Sequence, residues 1–294
     1  MTDHIACNDA TVIQSLDGTS IVFHDFGGSG SPVLLSHATG FHAHCMEKIG
    51  SLLRPQHRVA AFDHRGYGDA QAVDPAGLEW RAYGGDALAA ARHMSALNGG
   101  APVVGIGHSM GGASLIMAAH ADPGLFRALF VFEPIVFPPM IDDSKGGERP
   151  PSPLPGLTRK RKARFESAEE ALANFSSKPP MNTFDADVRD AYVRHGFRPV
   201  DGGIELKCSP EHEARTYETG GTSGAWDDLP TVGVPTWVVS GRPERFQPSS
   251  FARNVAERMP NATYVQYDEM GHFGPLEHPG AIADLVTYTL AQMR

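Results

Sequence analysis

Cysteine is scarce: Cys7, Cys45 and Cys208 are the three in 294 residues, an odd number at scattered spacings. That excludes a disulfide framework and offers no zinc-ligand pattern, so idle thiols are expected. Basic charge is also short. With 25 lysines and arginines against 34 acidic residues, the formal net charge is -9, and nucleic acid is not expected as a partner. No apolar run approaches the roughly 20 residues of a membrane-spanning helix. The opening Met1 to Asp9 has neither the basic start nor the apolar stretch of a secretory signal, so the expectation is a cytoplasmic protein without an integral membrane segment. Internal repeats and sustained heptads are absent too, which excludes solenoids and coiled coils.

What remains is a composition of ordinary globular type, 41% hydrophobic and 20% charged, long enough for one large α/β domain or a domain with an insertion. Thr11 to Gln14 and Ile21 to His24 are β-rich runs joined through Asp17-Gly18, the mark of a hairpin at a sheet edge. Apolar runs then recur at 33–36, 58–62, 103–108, 125–132, 235–240 and 262–267, and helical patterns fall between them at 78–97, 113–119, 250–259 and 280–293. Strands alternating with helices imply a mostly parallel sheet buried on both faces. Ligands of such sheets sit beyond the carboxyl ends of the strands.

Between Ile135 and about Asp228 the pattern changes to prolines, charges and short helices, which reads as an inserted, mainly helical cap over a core of residues 1–134 and 229–294. Ser167 to Glu170 has capping-box form, Asp187 to His195 reads as a helix, and Val200 to Ile204 as a hairpin turn. The run Arg159 to Arg164 reads as a solvated helix face, with a docking patch for acidic substrates or anionic lipid as the alternative. Aromatic and methionine residues such as Phe137, Met140, Phe184, Tyr192 and Trp226 are candidates for an apolar roof.

The chemistry is concentrated at Gly107-His108-Ser109-Met110-Gly111, a G-x-S-x-G elbow with an apolar strand before it and a helix after it. In that context a sharp turn lifts a serine hydroxyl above the sheet, with helix N–H groups aimed at the same point. Ser109 is the candidate nucleophile. His37, His42 and His44 raise the question of a metal site, but no carboxylate stands among them at ligand spacing, so they are expected to be structural.

Four segments in order resemble the α/β-hydrolase superfamily: His37 to Phe41, Asp63-His64-Arg65-Gly66-Tyr67-Gly68, Gly107 to Gly111, and Gly271-His272. The resemblance implies that His272 is the general base, a role a serine needs because its hydroxyl is a weak nucleophile. It implies an acid at one of two places. Glu133, ending the apolar run from Ala128, matches the position used by haloalkane-dehalogenase-like members and is preferred, because burial there is costly without an imidazolium to pair with. Glu244, three residues past Gly241, matches the commoner Gly-x-x-Asp position. The oxyanion hole would combine the Met110 N–H with that of Thr39 or, given the unusual His-Ala-Thr-Gly, Phe41. A serine at the elbow excludes the aspartate chemistry of epoxide hydrolases and dehalogenases of this fold.

The implied function is a serine hydrolase of small carboxylic esters or related acyl compounds, needing no metal or organic cofactor. Carbon–carbon bond hydrolysis of a diketone-like substrate is the enzymatic alternative, although relatives of that kind usually carry asparagine where His108 stands. A non-catalytic small-molecule receptor is the alternative of another class.

Overall fold

The computed structural model describes residues 9–138, 152–245 and 247–293. Cys7 and Met140 lie outside the described residues. Strands β1 (Asp9–Gln14) and β2 (Ser20–Gly27) pair antiparallel with Val12 opposite Val22, and Gly18 takes φ 84 in the turn between them. Next come β3 (Ser31–Ser36), α1 (Glu47–Leu53), β4 (His57–Asp63), α2 (Trp80–Leu97), β5 (Val103–His108), α3 (Met110–Ala121) and β6 (Phe126–Phe132). The chain then leaves the sheet. It forms α4 (Leu154–Arg159), β7 (Arg164–Phe165), α5 (Ala168–Ser176), α6 (Ala186–Gly196), β8 (Phe197–Val200), β9 (Gly203–Leu206), α7 (Pro210–Thr219) and α8 (Ala225–Asp228). It returns as β10 (Thr236–Ser240), α9 (Ser249–Arg258), β11 (Ala262–Gln266), α10 (Gly274–Glu277) and α11 (Pro279–Gln292).

The large sheet has the order β1-β2-β4-β3-β5-β6-β10-β11, antiparallel only where β2 meets its two neighbours. Its central strands carry unbroken apolar runs because both faces are covered. Residues of α2, α3 and α9 pack on one face, those of α1 and α11 on the other. Helix α3 is buried from Met110 through Ala119, all round rather than along one stripe, so it suits a central position under the elbow.

The hairpin expected at Val200 to Ile204 is present: β8 and β9 pair with Phe197 opposite Leu206, and the Asp201-Gly202 turn closes it. Strand β7 lies outside that expectation; it adds a third strand and makes the small sheet β7-β9-β8. The basic run is not a helix face either, because α4 stops at Arg159 and the chain is extended by Arg164. Arg159 pairs with Glu211 and Glu218, Lys162 with Glu170, and Arg164 with Glu205. Local acids absorb most of the charge that the linear sequence presents as a patch.

Candidate active site

The elbow is as tight as its glycines suggest. A Cβ on Gly107 would lie 2.6 Å from the Gly111 carbonyl oxygen, and one on Gly111 would lie 2.2 Å from that of Ser36. Only hydrogen fits there. Between them Ser109 is held at φ 57, ψ -114, a conformation that costs a non-glycine residue of order 1–3 kcal/mol. The strain is held in place by neighbours: the Ser109 N–H donates to the Phe132 carbonyl at 2.9 Å, and its carbonyl accepts from Ile135 N–H at 3.2 Å.

The turn after β11 carries His272 back over the elbow. Its Nε2 lies 3.2 Å from Ser109 Oγ and its Nδ1 2.6 Å from Glu133 Oε2. A carboxylate can only accept, so Nδ1 carries the proton and Nε2 presents its lone pair to the serine hydroxyl. Glu133 is fully buried at the end of β6, and its other oxygen accepts from Gly241 N–H at 2.9 Å. Both carboxylate oxygens are therefore occupied, which offsets the cost of burying the charge. Glu244 is placed differently: its N–H bonds to Ser249 Oγ at 3.0 Å, and no bond joins it to His272. Gly241, the first residue of the pattern that pointed to Glu244, serves Glu133 instead.

His108 points away from Ser109 and donates from Nε2 to the His272 carbonyl at 2.7 Å, which ties the His272 turn to β5. Burial, with His272 beside it, pushes its pKa well below the usual imidazole range, so the ring stays neutral. The loop after β3 supplies the other side of the site. His37 donates from Nδ1 to the Ala38 carbonyl at 2.9 Å and accepts at Nε2 from His64 N–H at 3.2 Å. Burial lowers its pKa to about 3. Phe41 spends its N–H on Ala38, at 3.1 Å, whereas Thr39 N–H has no hydrogen-bond partner among the described residues. Met110 opens α3, where the backbone N–H has no preceding turn to bond.

The expected roof divides into three groups. Phe184 and Tyr192 reach Phe41 with ring centroids 5.8 and 5.7 Å away, and Phe273 joins them beside His272. Phe165, Phe175 and Phe197 pack on one another inside the inserted segment. Phe137 packs on Phe251, and Trp226 lies under Arg258.

The histidines of the early loop do meet a carboxylate, which their spacing concealed. Glu47 and His195, from α1 and α6, join His44 with potential ligand atoms within 4.8 Å of one another. The His44 and His195 rings stack at 3.7 Å and 12°, however, so an ion between them would lie outside both ring planes, where imidazole has no lone pair. In a second group, His24, Asp63 and Asp69, the Asp63 carboxylate is already engaged: it accepts from His24, Ala43 N–H and Asp69 N–H at 2.8, 2.8 and 2.9 Å.

A mostly parallel sheet, a strained serine on the turn from strand to helix, and a histidine delivered from the far end of the chain define a hydrolase class. Residues 33–285 match the alpha/beta hydrolase family, and the chain belongs to it. Among curated proteins it is 24% identical to the abhydrolase domain-containing protein ACTT2-1 of Alternaria alternata over 48% of each chain, so it spans about half the length of that relative. It is 23% identical to the pimeloyl-[acyl-carrier protein] methyl ester esterase of Legionella pneumophila (strain Corby), over 85% of this chain and 91% of that one. Its fold is similar to that of E-2-(acetamidomethylene)succinate hydrolase, with a TM-score of 0.76 at 20% identity, covering 96% of this chain and 98% of the other. No described helix is long and apolar enough to cross a membrane.

Proposed function

We propose that this α/β hydrolase cleaves carboxylic esters or similar acyl compounds through an acyl-enzyme on Ser109. The observation that carries the reading is the bridging of His272 between Ser109 Oγ at 3.2 Å and Glu133 Oε2 at 2.6 Å. Ser109 Oγ attacks the carbonyl carbon while His272 Nε2 takes its proton, and Glu133 stabilises the imidazolium that results. The N–H groups of Met110 and Thr39 receive the charge that develops on the carbonyl oxygen. His272 then protonates the leaving alcohol, and water, activated by the same imidazole, releases the acid and restores Ser109. No metal or organic cofactor enters the cycle. Residues 135–228 act as the cap that shapes the substrate pocket.

The test is intact mass after exposure to a fluorophosphonate, comparing the unaltered protein with Ser109→Ala and His272→Ala. One adduct on the unaltered chain, absent from Ser109→Ala and slowed in His272→Ala, is expected. No adduct on the unaltered chain, or an adduct that survives Ser109→Ala, overturns the reading.

A further inference from the structure

Arg161 parts company with the rest of the basic run. Its neighbours pair with acids on the exterior of the inserted segment, whereas its Nη1 donates to the buried Glu213 and its Nη2 to the Tyr192 hydroxyl at 2.5 Å. Both partners press on the loop that carries the candidate oxyanion donor. A Cβ on Gly40 would lie 2.8 Å from Glu213 Oε1, and the Tyr192 ring meets Phe41 at 5.7 Å. The guanidinium is therefore joined to the two side chains, Glu213 and Tyr192, that pack on Gly40 and Phe41.

A guanidinium carries more N–H donors than the two engaged here, arranged in a planar fork that matches a carboxylate. The remaining N–H groups of Arg161 have no acceptor among the described residues, and its side chain keeps 23% of its surface exposed. Tyr217, half-buried and near enough to feel the charges of Glu213 and Arg161, also has a hydroxyl without a hydrogen-bond partner among the described residues. An apolar acyl chain laid against these groups would strip their water and return no hydrogen bonds. An anion would return them. Burial pushes the Glu213 carboxyl up, against the lowering effect of the Arg161 guanidinium.

We infer that Arg161 anchors a carboxylate subsite above residues 39–41, and that the substrate is an acyl compound bearing a second, free carboxylate, as in the half-ester of a short dicarboxylic acid. The inference rests on Ser109 being the nucleophile for its catalytic part, but not for its binding part.

The experiment compares kcat/KM of the full chain for phenyl half-esters of succinate and glutarate with that for neutral esters of matching shape, such as phenyl 4-methylpentanoate. The unaltered protein is expected to favour a half-ester at least tenfold. Arg161→Met should reduce that ratio at least tenfold, about the effect of losing one charge-assisted hydrogen bond. Arg161→Lys, which keeps the charge but not the fork, should fall between. Arg164→Met, on the exterior pair with Glu205, should leave the ratio unchanged. Calorimetric titration with glutarate reads the subsite independently of turnover, and binding should be lost in Arg161→Met. A preference for the neutral esters, an unchanged ratio in a folded Arg161 variant, or no glutarate binding to the unaltered protein overturns the subsite. Failure of fluorophosphonate labelling together with Arg161-dependent glutarate binding would overturn the hydrolase reading and leave the subsite standing.

Discussion

Ser109 and Glu133 are the two non-glycine residues with positive φ among the described residues, at 57° and 43°, and they end adjacent strands of the sheet. Each is held by the strand beyond it: Ser109 N–H by the Phe132 carbonyl at 2.9 Å, Glu133 N–H by the Val239 carbonyl at 2.8 Å. The chain thus makes two strained turns side by side, and His272 spans them. Strain of this kind persists only where surrounding structure over-determines it.

Glu133→Gln should lower kcat by about 10³–10⁴, because the amide no longer holds the Nδ1–H tautomer of His272. Glu244→Gln should leave kcat within about twofold, as expected of a surface carboxylate. Steady-state kinetics on a simple aryl ester checks both. A larger loss for Glu244→Gln than for Glu133→Gln would reverse the assignment.

Gly111→Ala should destabilise the protein by about 1–3 kcal/mol, the usual range for overpacking, because the new methyl group would meet rigid backbone rather than a side chain that can move. The nearest atom is the Ser36 carbonyl oxygen at 2.2 Å. Thermal melting should show the loss, and labelling of Ser109 should fall with it. Gly156→Ala, in α4 with nothing within 4 Å, is the control and should be close to neutral.

Arg65 and Asp86 form a buried pair with contacts of 2.6 to 3.1 Å, and Ser15 Oγ also donates to Asp86 at 2.6 Å. Asp86→Ala leaves the buried guanidinium with only the half-exposed Asp17, at 2.6 Å, as a carboxylate partner and should cost about 3 kcal/mol, the low end of the range for a broken buried pair. Arg194→Ala, removing the exposed pair with Asp190 on α6, should cost no more than about 0.5 kcal/mol. Urea titration distinguishes them, and equal costs would contradict the contrast.

Acid should begin to destabilise the fold well above the carboxylate range. His37 and His42 are lowered to about 3, chiefly by burial, so the folded protein keeps them neutral while the unfolded chain protonates them near pH 6.5. Their contribution is therefore complete above about pH 6.5 and is lost progressively as the pH falls from there toward 3. Unfolding free energies between pH 4 and 8 should slope accordingly, and His37→Gln should flatten the slope. A stability profile flat down to pH 4.5 would contradict this.

Much of the core was readable from local pattern. Every strand-type apolar run became a strand, because a sheet covered on both faces requires continuous hydrophobicity and little else does. Helices α1 and α7 carried no comparable signal: α1 is two turns long, and α7 is mostly polar, its buried residues including His212, Glu213 and Thr216. The third strand of the small sheet in the inserted segment depended on the two residues of β7 finding β9 across some 40 positions, which alternation alone does not announce.

Ser109 and His272 were nameable from sequence because the elbow glycines and the terminal Gly-His are local marks of chemistry. The partner of His272 was not so marked. Glu133 directly follows β6 and Glu244 lies four residues past β10, and the choice falls to Glu133 because β6 lies between β5 and β10, which places its end between the serine and the Gly241 N–H. The basic run shows the same limit more sharply: charge order along the chain reveals five basic residues in six positions, while folding alone pairs Arg161 with the buried Glu213 and sends Arg159, Lys162 and Arg164 to acids outside. Backbone sterics and burial pattern operate over a few residues, so sequence by itself determined the sheet and the elbow with its candidate serine. Carboxylate pairing and charge placement operate through space, so only the tertiary structure decided which glutamate meets the histidine and which arginine meets Glu213.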